Sequence, residues 1–265
     1  MLPITRQSFP CAATYRNVLR AVDAEQMNQV VMQALARVAA TKRCGDEPSR
    51  LAGQAAREQH VHVALDGKTL RGTLGHEQPD QKPMQQLALY ETKTGLLLKE
   101  QVTGEKQNER SIVSQFLTPL WVEGRIISAD ALHTQCAFCA SVTRWKGHYV
   151  LIAKGNQSTL REDLRLFFTE PPFDCRDWRT ARTVDKGHGR LEIRELVATT
   201  ELNDFLGGQW AGVAQVFRLT RTVTEDGQTR TEVVYGITSL SPAQASAQRL
   251  LELVRPRIAQ RDGRR

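Results

Sequence analysis

Two short apolar runs in this chain end on aspartate, VALDG at Asp66 and IISAD at Asp130. A carboxylate is costly to desolvate unless something pairs with it. An acid closing a buried-looking segment therefore either faces water in a turn or serves a cation or a basic partner. In an open α/β sheet, ligands gather beyond strand ends where the chain diverges. Two acids brought together on neighbouring strands repel, and a divalent cation relieves that repulsion. Mg2+ takes a few carboxylates along with water and phosphate oxygens, and a pair of such ions can clamp the attacking and leaving oxygens of a phosphodiester. The competing reading is structural, with each Asp capping the helix or turn that follows. Spacing alone leaves both open.

The elements that must position these acids follow from hydrophobic periodicity. Residues 15–40 carry Val18, Leu19, Val22, Met27, Val30, Val31, Leu35 and Val38 near a 3.6-residue period, which predicts helix, with Asp23 as an N-cap for its second half and Gln26 in the capping-box position. Residues 41–60 read as a polar linker. From residue 61 the pattern changes to strand (VHVALDG), then a hairpin over 84–104 turning at Lys93 to Gly95, then helix over 108–121. GRIISAD is a second short strand ending on Asp; helix at 134–145, strand at 148–156 and helix at 159–168 follow. This order implies an α/β sheet with mixed pairing. Beyond PPFDCRDWRT the chain turns strand-rich, and EDGQ at 225–228 is a strong hairpin signal. The last element, 241–256, predicts a helix with Ser241 as N-cap and Pro242 at its first position.

Bulk properties narrow the classes. The chain has 265 residues, 40% hydrophobic and 25% charged, and material for one large domain or two small ones. No run approaches the roughly 18 apolar residues needed to span a bilayer, and the N-terminus has no apolar stretch of signal-peptide length, so cytoplasmic residence is expected. Lys and Arg number 36 against 29 Asp and Glu, an excess of 36 − 29 = 7. That excess is in the range of domains that touch nucleic acid, without establishing contact. Cys136 and Cys139 form one CxxC, but no second pair stands at zinc spacing, and two small residues on a helix explain them without a metal.

Four stretches in order, DGKTLRG, SADALHTQ, YVLIAKGNQSTL and DKGHGRLEIRE, resemble the DDE transposases of bacterial insertion sequences, in the subgroup that includes H-repeat-associated proteins. The similarity runs from about Thr14 to about Arg255. It implies a ribonuclease H-like fold, a mixed sheet with flanking helices and a β-rich insertion at about 176–240, set within a catalytic domain over 59–265. An N-terminal helical segment and linker would occupy 1–58. Asp66 matches the first catalytic aspartate and Asp130 the second, both holding Mg2+ (or Mn2+). The implied reaction is strand cleavage at transposon ends, after which a freed 3′-hydroxyl attacks target DNA. The implied partner is double-stranded DNA, at transposon ends and target, with a homo-oligomer on DNA, no membrane, and a nucleoid-associated location. Lys68, Arg71, Lys154, Asn156 and Gln157 fit phosphate contact around the acids, and for Lys68 and Arg71 plain neutralisation of the acids is an equal reading. Lys186, His188 and Arg190 read as DNA-contacting or positioning residues on a hairpin, and Glu192 is held in reserve as a third acid.

The family's own third acid lies farther on, in a His-Trp-x-Ile-Glu-Asn pattern. This chain instead reads LELVRPRIAQRDGRR. The expectation is a truncated product that lacks the final catalytic helix and is defective in cleavage. The alternative expectation is an inactive DNA-binding remnant that occupies transposon ends or inhibits the intact transposase.

Overall fold

A computed structural model describes residues 11–22, 26–27, 30, 34, 60–70, 84–103, 116–129, 134–187 and 189–262. The chain divides into two units, residues 1–54 and 55–265. In the first, α1 (Ala12–Ala21) ends where Val22 turns extended, at φ −86 and ψ 133. The helical run expected over 15–40 is thus interrupted at Val22, and the expected cap Asp23 lies outside the described residues.

The second unit is built on nine strands. These are β1 (Val61–Leu70), β2 (Met84–Glu91), β3 (Leu97–Thr103), β4 (Arg125–Ala129), β5 (His148–Ala153), β6 (Arg179–Gly187), β7 (Arg190–Thr199), β8 (Gln215–Glu225) and β9 (Gln228–Thr238). They form one sheet in the order β3-β2-β1-β4-β5-β9-β8-β7-β6. β1, β2 and β3 make an antiparallel meander, while β1, β4 and β5 run parallel, as in a ribonuclease H-like sheet. The strand-rich segment does not stand apart from that sheet, because β9 pairs antiparallel with β5 and extends it by four strands.

Turn chemistry explains two of the hairpins. Gly95 takes φ +69 in the turn between β2 and β3. Asp226 and Gly227 both take positive φ between β8 and β9, as a two-residue type I′ turn requires.

Each face of the sheet carries its own core. On one face Val63, Leu65, Ile127, Tyr149, Leu151 and Ile237 pack beneath α2 (Pro119–Val122), α3 (Cys136–Arg144), α4 (Ser158–Thr169) and the segment around α5 (Asn203–Gly207). On the other, Ile126, Val150, Leu196, Phe217 and Leu219 meet Leu250, Leu251, Leu253 and Val254 of α6 (Ala247–Asp262). Packing is tightest at Gly236 of β9, where a Cβ would stand 2.3 Å from Phe217 Cζ and 2.4 Å from the Leu151 carbonyl oxygen. Overpacking against backbone has no cheap relief. Gly236→Ala is expected to cost about 2–3 kcal/mol, measured as a lower urea midpoint at unchanged slope.

The start of α6 corrects the sequence reading. Ser241 and Gln244 do exchange hydrogen bonds, Ser241 N–H to Gln244 Oε1 at 2.9 Å and Gln244 N–H to Ser241 Oγ at 3.4 Å, but they close a separate turn. Helix begins at Ala247, where Ser246 Oγ accepts from Arg249 N–H. The cause lies on β8. Fully buried Gln215 donates from Nε2 to the carbonyls of Leu240 and Ala245, at 2.7 and 3.0 Å, and so takes those acceptors out of any continuous helix.

Candidate functional site at the strand ends

β1 alternates faces as a strand must. Val63 and Leu65 enter the helix-covered core, and His62 and Ala64 lie on the opposite face with Asp66. His62 fixes this strand against its neighbours. Its Nε2 is 2.8 Å from Ser128 Oγ on β4, and its Nδ1 is 3.0 Å from Thr92 Oγ1 in the turn after β2. Those contacts hold β1 and β4 in the parallel register whose last described pair is Leu65 with Ala129. Asp66, half-buried, is the next residue of β1, and it does not end the strand as the sequence suggested: pairing with β2 continues through Asp66 opposite Ala88 to Leu70 opposite Met84. Asp130 is the next residue of the sequence after Ala129, and it lies outside the described residues.

Because β1, β4 and β5 are parallel, their C-terminal ends share one edge of the sheet. Lys154 leaves β5 at that edge, and Gly155–Gln157 form a single 3-10 turn leading into α4, with Asn156 exposed and Gln157 half-buried. Lys68 stands in β1 opposite Gln86; its side chain, Arg71 and His188 lie outside the described residues. The β6–β7 and β8–β9 hairpins open on the same edge, as the alternating strand directions dictate. β9 pairs with β5 only from Tyr235 onward, so residues 228–234 run past the end of β5. At about 3.3 Å per residue, this ribbon overhangs the strand ends by about 23 Å. Lys186 is exposed on β6, and Arg190 begins β7 beside the hairpin turn.

Glu192 is placed elsewhere. Four strands stand between β1 and β7, and at a spacing of about 4.8 Å that is about 24 Å across the sheet. Its carboxylate is taken up by Arg190, Arg194 and Arg221. Burial opposes its ionisation, but hydrogen bonds from Arg221 and the charges of Arg194, Arg221 and Arg190 outweigh that and hold its carboxyl below the ordinary range. The structure does not bring Glu192 to Asp66, and a carboxylate saturated by three guanidinium groups has no lone pair left for a cation. Among the described residues no group of three His, Cys, Asp or Glu gathers as metal ligands, and no helix is long and apolar enough to cross a membrane. Cys136 and Cys139 lie on α3, and burial pushes the Cys139 thiol up to about 12, an inert packing residue.

Sequence reasoning missed the two arginines that hold Glu192 from β7 and β8. The signal was present. In RLEIREL, Glu192 and Arg194 fall on the same face as buried Leu196 and Ala198, so both are committed to the interior.

Comparison with known proteins bears on the same segment. The family described as Transposase DDE domain matches residues 57–259. The chain is 35% identical over 141 residues to an "Uncharacterized protein in dhlA 3'region" of Xanthobacter autotrophicus, covering 53% of this chain and 47% of that one. It is 27% identical over 157 residues to the "H repeat-associated putative transposase YhhI" of Escherichia coli K12, covering 58% and 41%. The chain thus spans about half the length of the curated relatives it matches. Among solved structures, piggyBac transposase in a synaptic complex with hairpin DNA aligns at TM-score 0.36 and 13% identity, covering 74% of this chain and 37% of that one.

Proposed function

Since the chain belongs to the transposase DDE family, we propose that it acts on DNA as an insertion-sequence transposase, cleaving and joining phosphodiesters at transposon ends with Asp66 and Asp130 as its metal-holding carboxylates. The observation that carries this is the parallel pairing of β1 with β4, whose last pair, Leu65 with Ala129, precedes the two acids in sequence. The donor set suits a hard divalent ion, because a half-buried carboxylate one residue past the last β1–β4 pair offers oxygen ligands that can be shared with water and phosphate. When bound there, Mg2+ or Mn2+ supplies charge neutralisation at the phosphoryl oxygens. The chain's own part is to orient. Pairing of β1 with β2 through Asp66 and with β4 up to Leu65 fixes where Asp66 stands, and His62 holds that pairing through Ser128 and Thr92.

DNA is the proposed partner. Lys154, Asn156 and Gln157 face the strand-end edge from β5, Lys68 and Arg71 follow Asp66 in sequence, and Lys186, His188 and Arg190 belong to the overhanging hairpin. Lys and Arg here would neutralise backbone phosphates regardless of sequence. Residues 1–58 and 59–265 are the proposed helical and catalytic domains, assembly on DNA is proposed to be homo-oligomeric, and the location nucleoid-associated.

The test is Mg2+-dependent nicking of a duplex carrying the element's end sequence, read beside binding to the same duplex. Cleavage that needs Mg2+ and the end sequence supports the reading. Binding to ends without cleavage favours a DNA-occupying remnant, and cleavage indifferent to end sequence makes the chain a general nuclease.

A further inference from the structure

We propose that His60, His148 and Gln244 form a proton-sensitive latch that holds the 240–246 connection, and with it the start of α6, against β5, an inference that does not depend on the transposition reading. β4 stands between β1 and β5 in the sheet. His60, just before β1, and His148, the first residue of β5, meet across the beginning of β4 with ring centroids 4.8 Å apart and planes tilted by 53°. Hydrogen-bond roles fix which nitrogens carry protons. A carbonyl only accepts, so His60 Nδ1, 3.2 Å from the Gly124 carbonyl oxygen, carries a proton. Ser241 N–H donates to Gln244 Oε1 at 2.9 Å, which turns the NH2 of that amide toward His148 Nε2, 3.2 Å away. An NH2 group only donates, so His148 Nε2 accepts through its lone pair. The proton of His148 therefore sits on Nδ1, 3.4 Å from Ser239 Oγ, which also accepts from Tyr149 N–H at 2.9 Å.

A second proton on His148 has no place in this arrangement. It would set Nε2–H against the NH2 of Gln244, donor against donor. Rotating the amide gives the imidazolium an oxygen but takes that oxygen from Ser241 N–H, so one of the two bonds is lost either way. The turn that Ser241 and Gln244 close leads into α6, whose Leu250, Leu251, Leu253 and Val254 cover one face of the sheet. The surrounding charges do not offset the added proton. Among the described residues no acid pairs with either ring. Arg125 alternates to the other face of β4 from Ile126, the partner of His148, and its Nη1 donates to the Leu120 carbonyl at 2.6 Å. Glu123 and Lys146 are exposed, and Arg249 and Glu252 of α6 bind each other at 3.1 Å. Burial first, and His60 second, hold the His148 imidazole below its ordinary value, against an opposing hydrogen bond with the Ser239 backbone. The contribution of His148 to the fold is therefore fully present above the unfolded value of about 6.5 and is lost as pH falls through the folded value.

The test uses the full chain. NMR of the imidazole nitrogens should find His148 neutral at neutral pH, with its proton on Nδ1, and titrating below about pH 6.5. In step with that titration the Ser241 amide resonance should move. Its protection from hydrogen exchange, corrected for the intrinsic rate, should fall by about threefold or more while the β4 amides stay protected. Gln244→Glu sets an accepting carboxylate against the same Nε2 and should reverse the sign, raising the His148 midpoint above about 6.5. If Gln244→Glu does not fold, His60→Gln carries the comparison, since removing the neighbouring ring should also raise the midpoint. A His148 ring with its proton on Nε2 at neutral pH, a Ser241 amide indifferent to the titration, or one midpoint shared by the wild type and the folded variants would overturn the latch.

Discussion

Asp66→Asn should lower Mg2+-dependent nicking of an end-sequence duplex on the order of 10³-fold while leaving duplex binding within about twofold. The substitution is nearly isosteric, so the sheet register set by His62 and the β1–β4 pairing stays in place. What changes is the carboxylate's charge, and with it the ability to share a divalent ion with a phosphate. DNA affinity in this reading comes from Lys and Arg, so it should survive. Asp130→Asn should match it, and the double variant should be no slower than either, because ligands of one ion fail as a unit. A folded Asp66→Asn protein that nicks at the wild-type rate would remove Asp66 from the chemistry. A second readout does not need turnover. Mn2+ should raise the Tm of the wild type, as any ligand of the native state does, and should not raise that of Asp66→Asn.

The hairpin turns were legible because they rest on short-range signals. A glycine turn at 93–95 and a paired-positive-φ turn at Asp226–Gly227 each depend on a few adjacent residues, whereas the strand end expected at Asp66 is overrun because β2 goes on pairing with β1 as far as Leu70. The sites that resisted reading depend on distant partners. Ser241, with Gln three positions on, has the chemistry of an N-cap, and only Gln215, 26 positions earlier, reveals that the carbonyls there are taken and that helix must wait for Ser246. Glu192 shows the same limit. Its neighbours Arg190 and Arg194 can be read off the strand, while Arg221 comes from β8. An acid in a basic strand is compatible with catalysis until the third arginine is known to saturate it. The continuity of β5 with β9 is likewise a long-range fact that composition and periodicity do not contain.

That arginine triad makes Glu192 the residue whose loss should cost most in stability. Glu192→Gln keeps the shape and removes the one charge on which Arg190, Arg194 and Arg221 converge. Breaking a buried ion pair from one side leaves uncompensated charge, at about 3–5 kcal/mol; here two of the three arginines, Arg194 and Arg221, are themselves buried, and Glu232 at 3.8 Å is a remaining counter-charge for Arg221. The defect should be local to the long hairpins, so hydrogen exchange should accelerate first in β7 and β8 and leave β1 and β4 protected. The pH dependence has a fixed sign. The carboxyl titrates lower in the folded chain than the ordinary value of about 4.3 for an unfolded Glu. Its stabilising contribution is therefore fully present above about pH 4.3 and is lost as pH falls through the folded value. Wild-type protein should lose stability in that acid window more steeply than Glu192→Gln, in which the contribution is already gone. Parallel stability curves for the two proteins between neutral and acid pH would show that Glu192 does not carry the triad. A gentler slope for the variant would identify the acid on β7 as the counter-ion that lets three arginines share one buried face of the sheet.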